Sequence, residues 1–157
     1  MTRTDDAFTS AALGLARCYC ELGDVRSAIT AYERVPESSS AYVHARVAEV
    51  ELLLSSDGVT TVDDALEAAG IIESTTLERQ RRDHLQAQVL ESLLHGVCNG
   101  QQHATDGLTV FGRPITEHDL RLGLEQTYRQ LARAAGSGRE RVELVDRANR
   151  VRPRSWL

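Results

Sequence analysis

The sequence predicts an all-α fold, on three observations. Apolar residues recur at helical spacing almost from end to end, and no strand-like alternation competes. The three prolines, Pro36, Pro114 and Pro153, sit where that spacing breaks, as expected of residues that cannot continue a helix. Aromatic residues are few (two Phe, one Trp, four Tyr) beside abundant Ala and Leu, which suits helices packed closely through small side chains. A chain of 157 residues suffices for one domain with a sizeable core, here read as a single unit over 1–157.

About seven helices are expected, near 5–21, 24–35, 39–55, 62–74, 76–97, 116–135 and 138–150. The first ends at Gly23, and Asp24 opens the second. Pro36 closes that one, and Ser38 to Ser40 offer N-cap oxygens to the third. Ser55 to Thr61 separates the third from the fourth. The fifth, the long helix at 76–97, carries Arg79, Arg81 and Arg82 near its start, where the helix dipole disfavours cations; they read as solvated, with a carboxylate partner as the alternative. Residues 98–115 form a loop holding Gly100, Gly107 and Gly112 and an apolar cluster of Leu108, Val110 and Phe111. It is either a passive linker or a packed, partner-contacting segment. Thr116 with Asp119, an acidic variant of the capping box, opens the C-terminal helix pair of 116–157. Gly136-Ser137-Gly138 turns between its members. It is not a phosphate loop, because Arg141 stands where the third glycine of GxGxxG belongs and no strand precedes it.

All 18 basic residues are Arg. Without a lysine the chain cannot itself supply a P-loop, a pyridoxal Schiff base or the nucleotide-binding lysine of a protein kinase. Residues 1–112 hold 8 Arg against 17 acids, whereas residues 113–157 hold 10 Arg against 6 acids. The basic segment lacks stacking aromatics and a recognition-helix motif, so nucleic acid is not an expected partner. It reads as solvated helix faces or as a basic tail docking on an acidic surface of the same or another subunit. Cys18, Cys20 and Cys98 are an odd set without a secretory leader, and no apolar run is long enough for membrane insertion; a cytoplasmic chain with reduced thiols is expected.

One stretch, residues 9–42, follows the 34-residue tetratricopeptide (TPR) pattern. Leu15, Ala16 and Tyr19 occupy its large-small-large first-helix positions, Leu22-Gly23-Asp24 the turn, and Ala28 and Tyr32 the second-helix packing sites. Ala16 and Ala28 are small where two backbones cross, and Gly23 tolerates the positive φ of a helix C-terminus. Ala12 departs from the pattern, standing where a large aromatic is usual, and Pro36 falls early. Residues 43–75 make a more degenerate unit. The fold is therefore expected to be a TPR-like α-α superhelix. In the repeat's usual geometry Ser10, Leu13, Arg17, Cys20 and Glu21 face the groove, with Arg17 able to grip a carboxylate bidentately. Leu120, Leu124, Tyr128 and Leu131 form an apolar stripe, either core or a self-association surface.

No catalytic, cofactor-binding or metal constellation is expected. His95, Cys98 and His103 give H-x2-C-x4-H without a fourth ligand nearby, and Cys18 and Cys20 point in different directions on a helix. His84 and His95 share a helix face without further partners. A small hydrolase using His95 and Cys98 is the weakest reading.

The segments AALGLARCYCELGDVRSAITAYERVPESSSAYVHARVA, LRLGLEQTYRQLARAA and ELVDRANRVRPRSWL together resemble the C-terminal TPR domain of the actinobacterial protein kinase G family of serine/threonine kinases. The resemblance implies a non-catalytic region that contributes to dimerisation and regulation, with a protein partner or the kinase domain of the parent chain as its counterpart. Gly-rich loop, HRD, DFG, APE and CxxC are all missing here, so none of the family's catalytic or metal residues carries over. An excised C-terminal domain is the expectation, and a stand-alone TPR adaptor the alternative.

Overall fold

The computed structural model describes residues 2–55, 60–100 and 107–153, residues 2–6 as helix backbone only. Seven helices lie among them: α1 Thr2–Glu21, α2 Val25–Glu33, α3 Tyr42–Ser55, α4 Val62–Ser74, α5 Arg79–Cys98, α6 Glu117–Ala134 and α7 Gly138–Val151. Each packs on the next, and α3 also touches α5. This is the nearest-neighbour pattern of a helical repeat stack, in which each pair buries the face its predecessor leaves open.

The junctions are specified by local chemistry. Gly23 takes φ +73°, the Gly23 and Asp24 amides donate to the Cys20 and Tyr19 carbonyls, and the exposed carbonyls of α1 are thereby satisfied in a Schellman motif. Asp24 then caps α2 by accepting from the Ser27 amide at 3.1 Å. A single residue thus closes one helix and opens the next. Thr61 and Asp64 form a full capping box at α4, Glu78 caps α5, Thr116 caps α6 and Ser137 caps α7. Ser39 accepts from the Ala41 amide just ahead of α3 instead of capping it at the expected position, because α3 starts later, at Tyr42.

The segment after α5 corrects the expectation of a strandless loop. Thr109–Val110 (β1) and Arg113–Pro114 (β2) pair antiparallel, joined by Phe111 and Gly112. Both turn residues have positive φ, 49° and 71°, the geometry of a type I′ turn that matches strand twist. Val110 is buried and Phe111 packs against the core, so this part of the loop is a packed segment; residues 101–106 lie outside the described residues.

Two apolar clusters organise the interior. The larger runs from Ile29 to Ala148 and takes Val50, Leu53, Ile72, Leu93, Leu120, Leu124 and Leu131. The smaller joins Ala12 and Ala16 of α1, Ala31 and Tyr32 of α2, Val35 and Ala45 of α3. Ala16 and Ala28 are fully buried, as close helix crossing requires. Leu15, expected as a packing residue, is 39% exposed and borders an open cleft against Arg26, Ser27, Thr30 and Ala31 of α2.

Candidate interaction surface

α1, α3 and α5 are the first helices of successive pairs, the elements that line the inner face of a TPR stack. Of the expected groove residues, Ser10, Arg17, Cys20 and Glu21 are exposed on α1, while Leu13 is half-buried and packs against the smaller cluster. Arg17 and Cys20 are brought together around a residue of the other helix, Tyr32. Burial pushes the Tyr32 phenol above its ordinary pKa; Cys20 and Glu51 add to the rise and Arg17 opposes it. Tyr32 itself is buried, 8% exposed, within the smaller cluster.

Glu51, on α3, follows Arg17 by one repeat period and was missing from the expected set. Arg81 of α5 places Nη2 at 3.6 Å from Glu51 Oε1, with both side chains more than half exposed. Arg17, Glu51 and Arg81 thus put exposed charges of alternating sign on α1, α3 and α5. Exposed pairs of this kind contribute little to stability, about 0–1 kcal/mol, and remain available to a partner. Arg81 finds the carboxylate that its place near a helix N-terminus favours, and Arg82 donates to the Thr75 carbonyl at 3.2 Å.

Beneath this face runs a charged seam between α2, α3 and α4. Arg46 Nη2 donates to the Tyr32 carbonyl at 2.8 Å, its guanidinium lies 5.3 Å from the Tyr42 ring centroid, and Nη2 approaches Glu49 Oε1 at 2.5 Å without hydrogen-bond alignment. Glu49 is 1% exposed. Burial raises its pKa to about 7; Arg46 opposes the rise, and Glu33 and Glu67 add to it. At the outer end Arg26 of α2 pairs with Asp64 and with Glu67, the latter at 3.2 Å. Burial alone would raise Asp64, but hydrogen bonds from Thr61 and the charge of Arg26 outweigh it and hold the carboxyl below its ordinary value.

The apolar stripe on α6 faces inward. Leu120, Leu124, Tyr128 and Leu131 are at most 2% exposed, and all four belong to the larger cluster. Of the two readings of this stripe, core or self-association surface, its burial fits the first: these side chains fill the chain's own core, because α5 and α7 cover α6 on both sides. The Tyr128 hydroxyl donates to the Glu91 carboxylate, and Arg147 lies 6.0 Å from its ring centroid. Burial, then the bond to Glu91, drives the Tyr128 pKa up.

Cys18, Cys20 and Cys98 are free and exposed. His95 Nε2 lies 2.8 Å from the Asn99 side-chain amide, and His103 lies outside the described residues. Among the described residues no group of three His, Cys, Asp or Glu side chains could hold a metal, and no helix is long and apolar enough to cross a membrane.

A family model described as the protein kinase G tetratricopeptide repeat matches residues 1–155. Serine/threonine-protein kinase PknG of Mycobacterium leprae is 36% identical over 156 residues, covering 98% of this chain and 20% of that protein. The PknG of Mycolicibacterium smegmatis is 32% identical over 154 residues, covering 97% and 20% respectively. The chain spans about a fifth of the length of these curated relatives, and the match falls on the repeat region, so the sequence in hand contains no kinase catalytic part.

Proposed function

The chain belongs to the protein kinase G tetratricopeptide repeat family, and we propose that it is a non-catalytic regulatory module whose α1–α3–α5 face holds a protein segment. The observation that carries this reading is the row of exposed charges on the first helices of the pairs: Arg17 on α1, Glu51 one repeat period later on α3, and Arg81 of α5 at 3.6 Å from Glu51. A partner segment with a carboxylate opposite Arg17 and a cation opposite Glu51 fits that row, and the kinase domain of a parent chain is the first counterpart to test. Titration calorimetry of this chain against a separately produced kinase domain should show binding that Arg17→Glu weakens about tenfold or more. Equal affinity for both forms removes the face from consideration.

Self-association is a second reading, and it now rests on residues other than those of α6. Phe8, Leu15 and Leu22 recur every seven residues along α1 and the residue after it, with exposures of 53%, 39% and 78%. A seam with this spacing on an edge helix suits pairing with a second helix. Light scattering that finds only monomer up to high concentration eliminates the reading; a dimer lost on Leu15→Glu supports it.

A further inference from the structure

We propose that the cleft between α6 and α7 is a second docking site, one that takes an acidic peptide segment. α6 presents Arg129, Ala132 and Arg133, three and four residues apart and so on one face. α7 presents Arg141 and Val145, again four apart. These five residues line a cleft of about 390 Å³, the lower end of the range that holds a ligand group.

The charge in this cleft is only partly compensated. Arg121 and Arg139 each pair with a carboxylate four residues away, and Arg129 pairs with Glu125 at 2.9 Å and reaches Asn149 at 3.4 Å. The Arg133 and Arg141 guanidiniums have neither an ion pair nor a hydrogen bond among the described residues. Arg133 also borders a neighbouring cleft whose walls include Glu78 and Asp83, yet it pairs with neither. In the last turn of α6 it complements the helix dipole, whereas Arg141 lies at the start of α7, where the dipole opposes a cation. Two guanidiniums facing one space, one of them at the wrong end of a helix, leave a positive field that an incoming anion relieves.

The floor decides which anion. Ala132 is buried and Val145 is half-buried against the core, so a small apolar side chain seats between the arginines while its acidic neighbours meet the guanidinium forks. Among the described residues no aromatic side chain lines the cleft on which a nucleic-acid base could stack. A peptide of acidic residues around a small apolar one matches both features. This site shares no residue with the α1–α3–α5 face and stands or falls separately from it.

Fluorescence anisotropy with the full 157-residue chain and a labelled Glu-Glu-Val-Glu-Glu peptide tests it. Binding should weaken as salt rises, fall about tenfold or more in the Arg133→Gln/Arg141→Gln double variant, and persist in Arg17→Glu. Circular dichroism melts matching the parent chain confirm that the double variant is folded; both arginines are exposed, and their guanidiniums have no partner among the described residues. The proposal is overturned by absence of binding at millimolar peptide, by equal affinity for Gln-Gln-Val-Gln-Gln, by an unchanged affinity in the double variant, or by an oligouridine that competes as well as the acidic peptide.

Discussion

The α1–α2 hairpin and the α6–α7 hairpin are both antiparallel helix pairs, and they differ in the side chains that fill them. In the first, Ala12, Ala16 and Ala31 bring two backbones together, and little apolar area is gathered per residue. In the second, Leu120, Leu124, Leu131 and Leu144 fill the space between helices and belong to the larger core. Burying a leucine contributes about 1.5–3 kcal/mol, several times what an alanine methyl gathers. Stability is thus concentrated towards the C-terminal hairpin, while the N-terminal one is held by steric fit. The contrast suits the functional reading: the hairpin that carries Arg17, Cys20 and Tyr32 is the one able to yield locally.

The largest effect should come from emptying the leucine-filled hairpin. Leu124 is completely buried, so Leu124→Ala should cost about 2–5 kcal/mol in urea unfolding, with loss of structure throughout the chain. A cost below about 1 kcal/mol would break the contrast, because it would mean that α6 collapses onto the cavity as freely as a surface helix.

Next comes the seam between the two regions. Glu49 has its pKa raised from 4.5 to about 7 on folding. The folded chain therefore holds this proton over a pH range in which the unfolded chain has released it. Its contribution to stability is fully present below about pH 4.5, declines as pH rises, and levels off above about pH 7. At 1.36 kcal/mol per pH unit the loss is about 3 kcal/mol. Asp83, also raised by burial, adds to the fall in the same direction, whereas the lowered Asp24 and Asp64 act at more acid pH with the opposite sign. Subtracting the profile of Glu49→Gln isolates the residue. Stability curves of the two proteins that run parallel from pH 4.5 to 8 would show that Glu49 is not buried as a titrating group.

The sequence made the helices legible because their signals are local: periodicity, prolines, and caps such as Asp24 and Thr116 within three residues of what they bind. What escaped depends on partners far along the chain. Two-residue strands are too short to show a period, so the 109–114 hairpin was hidden although Gly112 marked its turn. Glu49 reads as one more polar residue of α3 until Val47, Val50 and Leu53 are seen to bury the same side of that helix. The α6 stripe was recognised, but its use was not, since periodicity reports an apolar face without saying what covers it. The repeat register singles out Arg17 and, one period later, Glu51, while Arg81 needed the packing of α5 beside α3.

Steric fit in the first hairpin should make it sensitive to added volume. Ala16→Leu places extra carbons where nothing yields, at a cost of about 1–3 kcal/mol. Hydrogen exchange should report lost protection in α1 and α2 with α6 and α7 unaffected. Uniform loss across all helices would instead make the chain one cooperative unit and remove the idea of a yielding face.

The smallest and sharpest test uses two glycines of the same hairpin. At neither Gly14 nor Gly23 would an added methyl meet another atom within 4 Å, so packing drops out of the comparison. Gly14 lies inside α1 with ordinary helical backbone, where alanine restricts the unfolded chain and improves helix propensity; Gly14→Ala should stabilise by about 0.5–1 kcal/mol. Gly23 holds φ +73° in the Schellman motif, where a methyl meets its own carbonyl, so Gly23→Ala should destabilise by about 1 kcal/mol. Gly23→Asn should recover part of the loss, because asparagine tolerates that region. Opposite signs from the same substitution, read by thermal melts, would place the hairpin's stability in its backbone turn and the close approach of its helices. If both substitutions stabilise, the turn is adaptable, and the one-residue junction through Asp24 is not what fixes α2 against α1.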